Sequence, residues 1–200
     1  MSLLPLFPLD LVLFPGAPLP LHIFEPRYQE LVNECLAQKT PFGMVRSRET
    51  ALAEIGCTAV ILSVNKKYDD GRMDIATEGG RRFAIEQLNQ ERPFLRADVT
   101  FFDDEPSQVT KSETDTVIQL HERLFEVLGQ HVEVEPSYAS LSFQLAHVLP
   151  VDLDFKQTIL EMKSEAERIE TLIEYYRSTI PKVEQTLRAR DKASGNGHVR

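Results

Sequence analysis

Short apolar runs separated by turn-forming residues fill the first hundred positions of the chain, which is typical of short β-strands. Six of the nine glycines lie before residue 81, and none lies between residues 130 and 194. Asp70-Gly71 predicts a hairpin turn with positive φ at both central positions, and Gly79-Gly80 predicts the next chain reversal. The pattern predicts eight strands, at residues 3–7, 11–14, 19–23, 42–46, 58–64, 72–76, 82–88 and 95–102.

One helix is expected between these strands. Tyr28, Leu31, Val32, Cys35 and Leu36 share one face at helical spacing, after a proline in the position that a first helical turn tolerates. Cys35 is therefore expected to be a small core residue, because no basic partner can be assigned beside its thiol.

The apolar period changes to 3.6 residues after position 105. Apolar stripes at helical spacing lie within residues 117–128, 138–149, 155–162 and 166–176. Asp154 and Ser164 are placed as N-caps, with Gln157 and Glu167 three residues later as capping-box partners. Pro181 is expected to end or kink the last helix. The sequence thus predicts an α+β protein, with a β-rich subdomain at 1–105, a helical subdomain at 106–190 and a disordered tail at 191–200.

The negative net charge of the chain argues against nucleic acid as a partner. The chain has 22 basic and 31 acidic side chains, a net charge of −9, whereas nucleic-acid binding rests on neutralising phosphates with Lys and Arg. We therefore expect no DNA partner, and RNA is disfavoured. The apolar N-terminus contains Asp10 and five prolines before residue 21, so it is expected to be neither a signal peptide nor a membrane span. Two cysteines make no disulfide framework, which favours a cytoplasmic compartment.

Catalytic and ligand motifs are missing from the sequence. It contains no Walker A loop, no G-x-G-x-x-G after a strand, no G-x-S-x-G elbow and no H-E-x-x-H pair. His121 shares a helix face with apolar residues and is expected to be a satisfied core or boundary histidine. No catalytic residue, metal site or cofactor is therefore predicted.

The N-terminal segment carries a more specific signal. LPLFPLDLVLFPGAPLPLHIFEPRYQELV, residues 4–32, resembles the opening of the Lon N-terminal domain family, which includes the substrate-binding region of Lon proteases, stand-alone bacterial proteins and part of cereblon. The similarity continues, in order, through GCTAVI at 56–61, DGRMDIATEGGRRFAI at 70–85, FLRADV at 94–99 and SFQLAHVLPVDLDFKQTILEMKSEAERIETL at 142–172. It covers about 185 of the 200 residues.

The resemblance implies a PUA-like β pseudobarrel with one inserted helix, followed by a C-terminal helical bundle. It also implies a non-enzymatic polypeptide-recognition module, a bacterial adaptor that presents unfolded or specific protein clients. We expect no peptidase activity, because the ATPase loop and the Ser-Lys dyad of Lon are missing from these 200 residues.

The recognition surface is assigned to Leu11 and Phe14 in the N-terminal hairpin region and to Phe24 and Tyr28 at the helix start. Core packing is the alternative for each of these four residues. Exposed apolar side chains within residues 9–14 or near Phe102 would support recognition of unfolded clients.

Two other functions stay open. The first is RNA binding, through the basic-aromatic clusters at 66–68 and 81–83, although Arg82 is expected to be paired and Phe83 to point inward. The second is a small-molecule enzyme that uses a cleft between the subdomains. The sequence indicates no particular oligomeric state.

Overall fold

A computed structural model describes residues 3–48, 51–132, 134 and 140–195 of the chain, with side chains as far as residue 190. The strands are β1 (Leu4–Leu9), β2 (Pro18–Ile23), β3 (Phe42–Arg48), β4 (Ala51–Leu52), β5 (Ile55–Lys67), β6 (Met73–Asn89) and β7 (Arg96–Phe102). The helices are α1 (Pro26–Gln38), α2 (Lys111–Val127), α3 (Leu141–Val148), α4 (Leu153–Glu161) and α5 (Glu165–Gly195). The α+β class and the order of strands before helices are confirmed.

Contacts divide the chain into two compact units. The first contains Met1–Glu105 and Ala146–Lys163, and the second contains Pro106–Leu145 and Ser164–Arg200. Residues 146–163 thus group with the strands, whereas the sequence pattern assigns them to the helical part. Polar contacts explain this grouping, because Gln157 of α4 donates a hydrogen bond to the Ile55 carbonyl at 3.1 Å.

Five strands of the first unit form a closed ring. The order β1-β7-β6-β5-β3 closes because β1 also pairs with β3, in parallel, with Leu6 opposite Gly43. Closure removes most of the exposed strand edges that would otherwise pair with other chains. Strand β2 lies outside the ring on β6, and β4 lies outside it on β3.

The interior of the ring is built around Phe83, which is completely buried. A Cβ at Gly43 or Gly56 would lie 2.7 or 2.6 Å from the Phe83 ring, so glycine is needed at both positions. Leu4, Leu6, Val45 and Ala97 complete this cluster. The prediction that Phe83 points inward is confirmed.

Arg82 points the other way and is also buried. Its guanidinium donates to the Leu160 carbonyl at 2.9 Å and to the Met162 carbonyl at 2.5 Å, at the C-terminal end of α4, and it pairs with Asp104. A cation at a helix C-terminus is electrostatically favourable. The predicted pairing of Arg82 is confirmed, and this side chain attaches α4 to the strands.

Of the two chain reversals predicted from glycine, one is confirmed and one is wrong. The β5–β6 hairpin is confirmed, but Gly71 alone has positive φ (89°), so its turn is not the predicted one with two such residues. The predicted reversal at Gly79-Gly80 is wrong, because β6 runs straight through both glycines. A Cβ at Gly79 would lie 1.9 Å from the Phe14 carbonyl oxygen, so this glycine permits close approach of residues 14–17.

Helix α1 follows its apolar pattern closely. Its proline occupies the first turn, and Tyr28, Leu31, Val32 and Cys35 are buried on one face. Cys35 is thus the core residue that the sequence predicts. Residues 11–14, by contrast, are not a strand, because they pair with no other strand of the described chain.

The second unit has α2 and α5 packed together. Thr110 caps α2 through a capping box with Glu113. His121 of α2 is fully buried, and its Nδ1 lies 2.7 Å from the hydroxyl oxygen of Tyr176 on α5. His121 is therefore a core residue as predicted, although its Nε2 has no hydrogen-bond partner among the described residues.

Arg168 of α5 is completely buried. It donates from Nε to Ser142 Oγ and from Nη2 to the Glu165 carboxylate, each at 2.7 Å, and its guanidinium lies 4.2 Å from the centre of the Phe143 ring. The charge is thus both paired and hydrogen-bonded, as burial requires. These contacts hold the beginning of α3 against the beginning of α5.

Two predictions about α4 and α5 need correction. Asp152, not Asp154, caps α4, and its carboxylate accepts the Phe155 N–H at 2.8 Å. Asp154 is the second residue of the helix, where a negative charge interacts favourably with the helix dipole. The Ser164 cap is present, since its hydroxyl accepts the Glu167 N–H at 3.3 Å.

Pro181 lies inside α5 and does not end it, so of the two predicted effects, an end or a kink, the first is wrong and the second stays a prediction. Ile180, immediately before it, is buried, so the helix is packed against its neighbours at the position of the proline. Helix α5 continues to Gly195, and residues 196–200 lie outside the described residues, as does Tyr138. In the described part of the chain, no helix is long and apolar enough to cross a membrane.

Candidate functional site

The four residues predicted to form a recognition surface lie in different environments. Phe14 and Tyr28 are buried, and Tyr28 stacks on Phe7 with ring centres 3.9 Å apart. Leu11 is half-buried, and Phe24 is 60% exposed. The structure therefore gives Phe14 and Tyr28 core positions, and a binding role stays a prediction for Phe24 above all.

Phe24 directly follows β2, which is one strand of a three-stranded ribbon. The ribbon is formed by residues 18–23 of β2, 73–78 of β6 and 60–67 of β5. Three large apolar side chains of its β5 strand are exposed: Val60 (43%), Leu62 (60%) and Val64 (39%). Strand β3 pairs with β5 only at residues 57–59, so within the described chain the outer edge of residues 60–67 has no strand partner. The ribbon thus presents apolar side chains beside an open edge.

A polar network lies on the ribbon near Phe24. His22 Nδ1 is 2.5 Å from Asp74 Oδ1, and the Tyr68 hydroxyl donates to Asp74 Oδ2 at 2.9 Å. These hydrogen bonds, His22 first, lower the pKa of Asp74 below its ordinary value. The network keeps the negatively charged Asp74 carboxylate beside Tyr68. The Nζ atom of Lys66 lies 4.4 Å from the centre of the Tyr68 ring. The basic-aromatic cluster proposed for RNA is therefore compensated by an acid.

A second apolar surface lies beside β7. A groove of about 610 Å³ is lined by apolar residues (Leu3, Leu4, Pro5, Pro41, Val99, Phe101), the polar Gln38 and Thr40, and three charged residues (Glu34, Arg96, Asp98). Phe101 is 40% exposed. Phe101 adjoins Phe102 in the chain, where exposed apolar side chains would support recognition of unfolded clients. We call this the β7 groove.

The two cysteines of the first unit are buried thiols with raised pKa values. Burial raises the pKa of Cys35 to about 11 and that of Cys57 to about 12, so both thiols stay protonated near neutral pH. A thiol must ionise to act as a nucleophile. Among the described residues, no group of three or more His, Cys, Asp or Glu side chains is placed to hold a metal ion.

Sequence reasoning missed the exposed residues of β5 and β7. The sequence of β5 contains a nearly continuous apolar run, which is typical of a strand buried on both faces. The run consists of Val60, Ile61, Leu62 and Val64. Period alone therefore predicts burial. The two lysines that follow at 66–67 were the available sign that the strand extends beyond the core.

Comparison with known proteins gives the chain a family context. Residues 3–177 match the family model of the ATP-dependent protease La (LON) substrate-binding domain. The chain is 27% identical to the Lon protease of Cytophaga hutchinsonii over 193 residues, which covers 86% of this chain and 24% of the relative. It is 24% identical over 209 residues to the Lon protease of Buchnera aphidicola, covering 94% and 27%. The chain thus spans about a quarter of the length of these curated relatives.

Solved structures resemble the chain over most of its length. A Lon N-terminal domain protein from Xanthomonas campestris superposes with a TM-score of 0.71 at 25% identity, covering 88% of this chain and 99% of the other. The N-terminal domain of a Mycobacterium avium complex Lon protease gives a TM-score of 0.63 at 17% identity, covering 88% and 98%, and this similarity concerns the fold alone.

Proposed function

Because this chain belongs to the family of Lon substrate-binding domains, we propose that it is a non-enzymatic module that binds exposed segments of other polypeptides. Membership of this family supports a role in substrate recognition. The proposal adds the surface that binds, which is the ribbon with Phe24, and the kind of client, which is an unfolded or partly unfolded chain.

The observation that carries the proposal is the exposure of large apolar side chains on the ribbon. Leu62 and Phe24 are both 60% exposed, and Val60 and Val64 are exposed on the same strand as Leu62. Val60 lies opposite Glu78 and Val64 opposite Ile75, so the two valines point to opposite faces of the ribbon along its open edge. Isolated exposed apolar residues are ordinary, but a group of them beside an unpaired strand edge is typical of surfaces that bind polypeptides. An unfolded client supplies both requirements, because it exposes apolar side chains together with free backbone N–H and C=O groups.

The module also fits an adaptor, which holds a client and presents it to a separate ATPase or protease. Its cysteines are free and buried, which suits the reducing cytoplasm. RNA binding has less support, because acids compensate both basic-aromatic clusters. Tyr68 of the first cluster donates to Asp74, and Arg81 and Arg82 of the second pair with Asp103 and Asp104.

The proposal is tested by fluorescence anisotropy with a labelled, permanently unfolded polypeptide at physiological salt. Replacing Leu62 and Val64 together by serine is expected to weaken binding about tenfold, since it removes two exposed apolar side chains along the open edge of β5. The control is Leu128→Ser, which removes a leucine of the second unit whose exposure (38%) is close to that of Val64 (39%).

The same titration includes a structured RNA as competitor. We expect RNA not to displace the polypeptide. Equal affinity of the ribbon variant and the unaltered protein would exclude the ribbon as the binding surface. Failure of every unfolded polypeptide to bind would contradict the proposed function, and salt-sensitive binding of RNA alone would replace it with the RNA hypothesis.

A further inference from the structure

We propose that the β7 groove is a second peptide subsite, which takes an extended client segment carrying an apolar side chain next to a lysine or arginine. This inference rests on the proposed function and goes beyond it, because it names a separate site and the charge of the segment that fills it.

The backbone beside the groove is available for strand pairing. Strand β7 pairs with β6 along residues 96–102. On its other side, the described residues of β1 pair with it only at Arg96 and Ala97. Within the described chain, the edge of residues 98–102 therefore has no strand partner, and an extended segment added there meets unpaired backbone groups.

The groove also offers a seat for an apolar side chain. Phe101 is 40% exposed, and its ring packs edge-on against Phe83, with ring centres 6.5 Å apart. The Arg81 guanidinium lies 5.1 Å from the Phe101 ring centre and is paired with Asp103. Val99, two residues earlier in the strand, also lines the groove. A side chain placed against these two residues is held by a ring that the core already supports, so binding need not order Phe101 first.

The charges of the groove select a cation. Arg96 is neutralised, because it pairs with Glu34. Asp98 lines the same groove, is exposed, and has no ion-pair partner among the described residues. Its uncompensated carboxylate, in a chain of net charge −9, attracts a basic side chain and repels an acidic one.

The test uses two short fluorescein-labelled peptides of the same apolar residues, one with Arg and one with Glu beside a central leucine. We expect the Arg peptide to bind the intact protein about fivefold more tightly. Asp98→Lys is expected to abolish or reverse that preference, and Phe101→Ser to weaken the Arg peptide about tenfold. Glu174→Lys, at an exposed position of α5, is the control for the charge change.

A third peptide has the Arg sequence with N-methylated amides around the leucine. Strand addition needs those N–H groups, so we expect it to bind at least about tenfold more weakly. Circular dichroism shows whether Phe101→Ser is folded, and Asp98→Lys changes only an exposed side chain.

The outcomes separate the two proposals. The subsite is refuted if peptides bind with no dependence on charge, on Asp98 or on Phe101, while the Leu62 and Val64 variant still weakens the unfolded polypeptide. In that case the proposed function stands. If neither the peptides nor the unfolded polypeptide bind, the proposed function and the subsite fail together.

Discussion

Protonation of His121 is expected to destabilise the second unit in mild acid. The side chain is fully buried, with Nδ1 bonded to the Tyr176 hydroxyl and the ring 4.8 Å from that of Phe125. Burial lowers its pKa from 6.5 to about 4. The folded protein therefore binds the proton more weakly than the unfolded chain does, and stability falls as the pH drops through the window from 6.5 to 4.

The size of this effect follows from the two pKa values. One pKa unit corresponds to about 1.4 kcal/mol, so the complete loss below pH 4 is about 3 kcal/mol. Near pH 5, His121 is mostly protonated in the unfolded chain and mostly neutral in the folded protein, and the loss in the free energy of unfolding is about 2 kcal/mol. Such a loss is a large share of the stability of an ordinary domain.

Urea denaturation of the whole protein near pH 7 and near pH 5, followed by circular dichroism, measures the effect. His121→Asn removes the titrating group and leaves a polar side chain near Tyr176. The free-energy difference between the two pH values is expected to be about 2 kcal/mol smaller in this variant. Identical pH dependence in His121→Asn and the unaltered protein would refute the reasoning.

Three further changes test the packing. Arg168→Met should destabilise the protein by about 3–5 kcal/mol in urea denaturation, because it leaves the partly buried Glu165 carboxylate without its cation. Gly79→Ala should cost about 3 kcal/mol in the same measurement, since the new Cβ would meet the Phe14 carbonyl at 1.9 Å. Cys57, whose pKa is raised to about 12, should react with a thiol reagent at least about a hundredfold more slowly in the native than in the denatured protein.

The predictions for Arg168, Gly79 and Cys57 each have a control or a result that would contradict them. Arg177→Met changes an exposed arginine of the same helix and should cost little; equal losses in the two arginine variants would argue against the buried pair. Gly16 has φ of 76° but open space around it, so Gly16→Ala should cost only about 1 kcal/mol. Rapid native labelling of Cys57 would contradict its burial.

Local patterns predicted elements that depend on local contacts. Helix α1 has a proline in its first turn and an apolar stripe at the spacing of a single face, and both features act within a few residues. The α2 helix likewise has its apolar face at Val117, His121 and Leu124. These elements were predictable because period and capping are properties of the segment itself.

Features set by distant contacts could not be predicted. Gly79 resembles a turn glycine in sequence, yet its role is to admit the Phe14 carbonyl from another part of the chain. Phe14 and Phe24 are the same residue type in similar apolar surroundings, and only tertiary packing buries the first and exposes the second. The candidate surfaces were missed for the same reason, because exposure of Leu62 and Phe101 depends on which neighbouring strands end early.

Hydrogen–deuterium exchange tests the central claim most directly. The protein is compared alone and with a saturating concentration of a permanently unfolded polypeptide. We expect slower exchange in residues 60–67 of β5 and 98–102 of β7, because a bound segment would occupy the N–H groups along these open edges. Exchange that is unchanged throughout the first unit, or protection confined to α2 and α5, would contradict recognition of polypeptides by these strands.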